Sequence, residues 1–290
     1  MLPSPDGTER GYETSRRSAA GFWQRVVSVG ACINIVLAIP IIVIGFWLAS
    51  RHHHDCIKFL EIPILFIGFG LVLVSIFGFI WAKNCKADLV RLYLFAVLLL
   101  LLLLLAFTLF TFVVTHDSGG HAVPAATYLE YNLAEYSTWF QDQVKDSLRW
   151  SILKSCIKDQ HPCTGLNKLY STALEFDDAY LTPIQSGCCK PPSACGFTFV
   201  KPTQWITATR SGASSDCGLW SNGSGMCYDC NTCKAGLLET VRQDWNNAAD
   251  VCLAVFILLF VVYLVSLFAF LKGDLSRSPG SRFGGGFLRS

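Results

Sequence analysis

LYLFAVLLLLLLLLAFTLFTFVV, residues 92–114, contains no charged side chain and runs through eight consecutive leucines, Leu98–Leu105. A helix rises about 1.5 Å per residue, so roughly 20 residues cross a hydrocarbon layer about 30 Å thick. This stretch is long enough, and three more resemble it: Val26–Ser50, Ile62–Ala82 and Val251–Leu271. Each of the four has 21 to 25 residues. A soluble fold of 290 residues lacks the shell to bury four such helices. Composition agrees, at 52% hydrophobic and 15% charged with a mean hydropathy of +0.42, against about 25% charged in soluble domains. Val26–Ser50 also exceeds the roughly 7–15-residue apolar core of a cleaved signal peptide. The net charge of +2 implies no general affinity for nucleic acid.

Lys and Arg set the expected orientation. Arg10, Arg16, Arg17 and Arg25 precede the first run. Lys83, Lys86 and Arg91 follow the second, and Lys272, Arg277, Arg282 and Arg289 follow the fourth. The segment between the first two runs has only Arg51 and Lys58. The positive-inside rule then places both termini and the 83–91 turn in the cytosol. The expected organisation is a cytosolic tail 1–25, spans at 26–50, 62–82, 92–114 and 248–271, a small outer loop 51–61, a large outer loop 115–247 and a cytosolic tail 272–290. The tails, rich in Ser, Gly, Pro and Arg, read as disordered segments beside anionic headgroups. The fold class is an all-α integral membrane protein, a four-span transmembrane helical bundle with a helical, disulfide-rich large extracellular loop.

Cysteine usage points the same way. Nine of the 13 cysteines lie in the large loop: Cys156, Cys163, Cys188, Cys189, Cys195, Cys217, Cys227, Cys230 and Cys233. That density suits a compartment in which disulfides persist. The small loop adds Cys56, which makes the outer cysteines even in number and pairs Cys56 with a large-loop cysteine.

Within the spans, Ala31, Ala38 and Gly45 recur every seven residues, as do Gly68, Ser75 and Ala82. Small residues let backbones approach in lipid, so the first two spans are expected to pack together. Asn34, an amide in hydrocarbon, requires a hydrogen-bond partner within the bundle. None of the four apolar runs carries Asp, Glu, Lys, Arg or His, which weighs against the alternative of a four-span channel or transporter subunit. In the large loop, Leu129, Leu133, Tyr136, Phe140, Val144, Leu148 and Ile152 recur at helical steps, and Leu237, Val241, Trp245 and Ala248 repeat the pattern before the last span. Pro183 to Cys233, rich in Pro, Gly, Ser and Cys, reads as irregular structure held by disulfides.

Two stretches of that loop are specific. Gly187-Cys188-Cys189-Lys190-Pro191-Pro192 and Cys227-Tyr228-Asp229-Cys230-Asn231-Thr232-Cys233-Lys234-Ala235-Gly236, set on four spans with a small first and a large second loop, resemble the plant-type members of the tetraspanin family over about residues 20–272. Adjacent cysteines cannot easily bond each other, so the pair must reach two partners. The resemblance implies that one of the pair bonds Cys233 and the other a cysteine of the variable region such as Cys217; Cys156 with Cys163 is a further possibility. It also implies a lateral organiser that assembles with other tetraspanins, and with membrane receptors or enzymes through the large loop. Those assemblies would sit in plasma-membrane or endosomal microdomains, and in plants the family is linked to cell differentiation and development. Paired cysteines in the cytosolic turn are commonly palmitoylated in the family; here Cys85 stands alone as the S-palmitoylation candidate. Some members enclose a sterol-sized cavity. Asn34 matches its first-span residue, but the fourth span offers only Tyr263 and Ser266, so membrane lipid is assigned as a partner and sterol is not.

Other chemistry suits these residues less well. Cys227, Cys230 and Cys233 have zinc-like spacing, but outside the cytosol disulfides take precedence. Three adjacent histidines, His52, His53 and His54, cannot all face one ion in an extended chain and read as an exposed turn. No cofactor and no catalytic constellation are expected. Asn222-Gly223-Ser224 is an N-glycosylation sequon on the outer side.

Overall fold

The computed structural model describes the backbone at residues 5–51, 58–83, 87–117, 119–206, 215–223 and 225–277. Side chains are described at 21–22, 25–47, 65–80, 88–117, 119–206, 215–223 and 225–272. Four helices carry the apolar runs: α1 (Pro5–Arg51), α2 (Lys58–Lys83), α3 (Ala87–Thr115) and, at the other end of the chain, α9 (Asn231–Arg277). Arg25–Trp47, Asp88–Thr115 and Asn231–Lys272 are long and apolar enough to cross a membrane, and Leu65–Ile80 of α2 forms a shorter apolar stretch. One boundary moves. The tail expected over 1–25 is helical from Pro5 onward. Proline, with its φ fixed near the helical value, is preorganised for the first helical position.

The chain divides into two compact units. The first contains α1, α2, α3 up to Thr108 and α9 from Val251. Its interior is a set of helical stripes: Ala31, Ala38 and Ile41 on α1, Ile67 and Leu71 on α2, Val97, Leu101 and Leu104 on α3, and Val255 and Leu259 on α9 are all buried. The leucine run is therefore split by its own period, because Leu99, Leu102 and Leu103 face outward. The outer surface is as apolar as the interior, with Phe66 73%, Phe95 64% and Val36 61% exposed. A surface of this kind is stable only against another apolar phase.

Small residues set the approach distances. A Cβ on Gly68 would stand 2.8 Å from the Ile42 side chain and 3.3 Å from that of Ile41, so α1 and α2 close at that point. Ala31, Ala38 and Ser75 of the expected seam are fully buried; the side chain of Ala82 lies outside the described residues. The amide Nδ2 of Asn34 donates to the Tyr93 hydroxyl at 3.1 Å. Tyr93 reaches it because Gly78 leaves room, since a Cβ there would stand 2.3 Å from the ring. Ser75 and Thr108 donate to carbonyls one turn back, Leu71 at 2.7 Å and Leu104 at 2.8 Å, which satisfies hydroxyls without a partner helix.

The second unit contains Leu109–Asp250. A hairpin comes first, β1 (Gly120–Ala122) antiparallel to β2 (Leu129–Tyr131), with His121 opposite Glu130. Then follow α4 (Thr138–Lys145), α5 (Ser147–Asp159), α6 (Leu166–Leu169), α7 (Ala173–Asp177) and α8 (Pro183–Cys188). A second hairpin, β3 (Thr198–Lys201) with β4 (Gln204–Ile206), precedes α9. The single helical period read from Leu129 to Ile152 does not survive. Leu129 lies in β2, and the helix breaks at Asp146, whose extended backbone (φ −64°, ψ 122°) ends α4 while its carboxylate caps Arg149 N–H of α5 at 2.8 Å. Leu148 and Ile152 are left outside at 72% and 52% exposure. The segment from Pro183, read as irregular, holds α8 and the β3–β4 hairpin.

Tyr93 occupies the space that Gly78 leaves, so Gly78→Val is expected to destabilise the membrane unit by about 1–3 kcal/mol through overpacking. Thermal unfolding of the detergent-solubilised full chain, beside a control at exposed Phe77, checks this.

Candidate functional site

Four disulfides are described, and all lie in the second unit: Cys163–Cys189, Cys188–Cys233, Cys195–Cys217 and Cys227–Cys230. Their Cα–Cα distances, 4.4–5.5 Å, fall where unstrained bridges lie. Cys156 is also disulfide-bonded. Cys56 and Cys85 lie outside the described residues, as do His52, His53 and His54.

The adjacent pair sits at the end of α8. That helix begins with a reciprocal cap: Thr182 Oγ1 accepts from Gln185 N–H at 3.2 Å, and the Gln185 side chain accepts from Thr182 N–H at 3.1 Å, with Pro183 at the first helical position. Gly187 then brings α8 against the start of α9. A Cβ there would stand 2.3 Å from the Thr232 carbonyl oxygen, and the Thr232 hydroxyl donates to the Gly187 carbonyl at 3.2 Å. Gly236 does the same from the other side, 2.2 Å from the Pro183 oxygen. With the two backbones this close, Cys188 meets Cys233. Cys189 is directed the other way, to Cys163.

The second partner differs from the one the family resemblance implied. Cys189 bonds Cys163 instead of Cys217, and Cys163 is therefore not joined to Cys156. The turn after α5 carries Cys163 onto α8, where Gln185 Nε2 donates to the Pro162 carbonyl at 3.0 Å. Cys217 is taken by Cys195, each in a short 3₁₀ turn, Ser215–Gly218 and Ser193–Cys195. Cys227, Cys230 and Cys233 enter two bridges. No group of three His, Cys, Asp or Glu side chains among the described residues could hold a metal ion.

Lys190, the next residue of the motif, is 2% exposed. Its ammonium pairs with the carboxylate of Glu130 on β2, lies 3.4 Å from the Pro191 carbonyl oxygen, and stands 4.7 Å from the centroid of the Tyr128 ring. Glu130 also accepts from the Ser193 N–H at 2.9 Å and hydroxyl at 2.7 Å. Burial pulls the Lys190 ammonium below its ordinary pKa, while Glu130 and Asp177 pull it back up. Burial and the nearby carboxylates raise the Tyr128 phenol in turn. The motif thus contributes two bridges and a buried ion pair that ties it to the first hairpin. The sequence showed the cysteines but offered no signal that Lys190 goes inside.

A second buried polar group likewise has no signal in the local sequence. Glu239, 3% exposed on α9, accepts from the Tyr136 hydroxyl at 2.9 Å and from both Nε and Nη2 of Arg242 at 2.9 and 2.7 Å. Burial pushes the neighbouring Tyr131 hydroxyl up to about 12. Trp139, Phe140 and Trp245 pack with ring centroids 5.5–6.0 Å apart. A second aromatic group joins Phe176 to Phe199 and Trp205 at 5.2–5.9 Å.

Asn222 is exposed, and its side chain mimics a strand against β4: Oδ1 accepts from Trp205 N–H at 2.9 Å and Nδ2 donates to the Trp205 carbonyl at 3.0 Å. Ser224 of the sequon lies outside the described residues. In the first unit, Asn34 is 2% exposed and bonded to Tyr93. Cys32 and Cys252 are free thiols.

Known proteins resemble this chain across most of its length. The family model described as "Tetraspanin family" matches residues 23–271. Tetraspanin-2 of Arabidopsis thaliana is 41% identical over 240 residues, 82% of this chain and 89% of its own length. Protein TORNADO 2 of the same plant is 40% identical over 251 residues, 85% of this chain and 93% of its own. Tetraspanin-7, also from Arabidopsis thaliana, is 38% identical over 241 residues, 82% and 91% respectively. No solved structure matches.

Removing the ammonium of Lys190 leaves the Glu130 carboxylate largely buried without its cation. Lys190→Met is expected to cost about 3 kcal/mol, and Lys190→Met combined with Glu130→Leu less than that. Thermal unfolding of the two variants measures the difference.

Proposed function

This chain belongs to the tetraspanin family, a family of membrane scaffolds, and on that premise we propose that it assembles partner proteins in membrane microdomains by contact and not by catalysis. In this reading the chain crosses the bilayer four times with both termini in the cytosol, so that the disulfide-tied unit lies outside. The first unit associates with other tetraspanins and lipid. The second recruits receptors or enzymes at the plasma membrane or in endosomes, with cell differentiation and development as the process served.

One observation carries the reading. Five large side chains between Leu148 and Tyr180 stand 52–87% exposed (Leu148, Ile152, Leu169, Leu174 and Tyr180) on a unit held by four bridges. Exposed apolar side chains on a rigid, cross-linked body are the material of a protein interface. Asn222 as a glycan acceptor and Cys85 as an acylated cysteine belong to the same proposal.

So does a fifth bridge. The other eight cysteines of the large loop are paired among themselves, so the partner of the bonded Cys156 comes from outside the loop. Cys56 is the cysteine on the same side of the membrane in the proposed topology. Non-reducing peptide mapping is expected to return a Cys56–Cys156 linked peptide; a free Cys56 overturns that part.

Recognition by the second unit is tested by proximity labelling in intact cells, with Cys188→Ala/Cys189→Ala beside wild type and both matched for surface arrival. A defined set of membrane proteins should disappear from the variant's neighbours. An unchanged set would move recognition to the spans or tails.

A further inference from the structure

Beside the buried Lys190 the second unit holds a cavity of about 190 Å³. We propose that it is a receptor for a single basic side chain, an arginine, presented by a partner protein. The inference rests on the adaptor reading and gives it a specific chemistry.

Size comes first. Pockets for drug-sized molecules measure about 300–1,000 Å³, so this one takes a side chain or a fragment of similar bulk. It opens at the surface, because Pro124 and Ser193 in its wall are exposed while Phe197 and Trp205 are half-buried. Its rim is preset by the turn from Val123 to Ala126, closed by Ala126 N–H donating to the Val123 carbonyl at 3.1 Å. Ala125 in that turn has φ +63°, a conformation that costs any residue but glycine.

Charge decides the occupant. The Lys190 ammonium is already engaged by Glu130, by the Pro191 carbonyl and by the face of Tyr128, so it is not free to hold an anion. Asp177, also in the wall, is half-buried. Its backbone carbonyl accepts from Thr127 N–H at 2.7 Å, but its carboxylate accepts no hydrogen bond among the described residues. Two carboxylates, Glu130 and Asp177, thus act on one ammonium, and the site is left one negative charge in excess. An anion would meet Asp177 unscreened, and a neutral group would leave its charge unneutralised. A cation completes it.

The rings favour guanidinium over ammonium. Trp205 and Phe197 supply aromatic surface in the wall. The Trp205 indole N–H is committed to the Pro202 carbonyl at 2.9 Å and its ring also meets Phe176 and Phe199, so the part of the ring that lines the cavity offers aromatic surface and no donor. A planar, weakly hydrated guanidinium stacks on such rings while its fork binds a carboxylate.

Saturation-transfer NMR on the full chain in lipid nanodiscs tests the proposal, with N-acetyl-arginine methylamide as the probe and methyl β-glucoside as the neutral comparison. Saturation should reach the arginine side-chain protons and be absent from the glucoside. Affinity should fall about tenfold in Asp177→Asn, the loss of one charged hydrogen-bond partner. It should hold in Asp229→Asn, whose carboxylate pairs with Lys154 at 2.7 Å and is not part of the cavity wall. Non-reducing mapping of the four bridges confirms that each variant is folded. No transfer to the folded protein, undiminished affinity in Asp177→Asn, or saturation of the glucoside in place of arginine would each overturn the cavity's assignment. Those outcomes leave the adaptor reading standing, because proximity labelling judges it separately.

Discussion

Two cysteines side by side at the end of one short helix cannot satisfy each other, so they tie the chain in two directions. Cys188 reaches forward to Cys233 at the start of α9, and Cys189 reaches back to Cys163 beyond α5. The bridges close 45 and 26 residues of chain respectively, and loops of that length lower the entropy of the unfolded chain by about 3–5 kcal/mol each in the chain-entropy account. The geometry requires Gly187, because only a residue without Cβ lets α8 touch the Thr232 carbonyl. Once the pair is in place, Lys190 follows it inward, and the Glu130 carboxylate on β2 compensates the burial. One turn of chain therefore connects α9, the Cys163 turn and the first hairpin.

The membrane unit solves the opposite problem. Its surface tolerates almost any apolar side chain, and its specificity lies in the few polar atoms that must be satisfied in a dry interior. Asn34 finds Tyr93 only because Gly78 on α2 makes room for the ring. Ser75 and Thr108 bond their own helices and so place no demand on neighbours. In the second unit the corresponding centre is charged: Glu239 with Arg242 and Tyr136. Buried ion pairs of this kind contribute little net stability, but they penalise wrong packing because any unpaired member is costly.

A body stapled this heavily suits recognition by contact. A cross-linked backbone presents its surface with less freedom to lose, so binding through it costs less conformational entropy. The exposed apolar residues between Leu148 and Tyr180 and the charged, aromatic cavity at Asp177 offer two kinds of surface on one rigid unit. In the proposed adaptor role the first provides area, and the second provides chemical selectivity.

The four apolar runs, the cysteine-dense segment between the third and fourth of them, and the helix approaching the last were all legible in the sequence. Length, hydropathy and period are properties of neighbouring residues, and lipid imposes them one helix at a time. The helical period from Leu129 to Ile152 misled for the same reason. Leu129, Leu133 and Tyr136 sit at helical spacing, but hairpin pairing with Gly120–Ala122 and the cap at Asp146 override it. The motif around Cys188 and Cys189 was visible as a motif, yet the choice of Cys163 over Cys217 depends on where the chain after α5 travels, which no local pattern records. Nothing local in the sequence distinguishes Lys190 or Asp177 from other charged residues of the loop. Only the tertiary structure put one beneath a hairpin and the other in a cavity wall, because burial is decided by what residues far apart in the chain bring together.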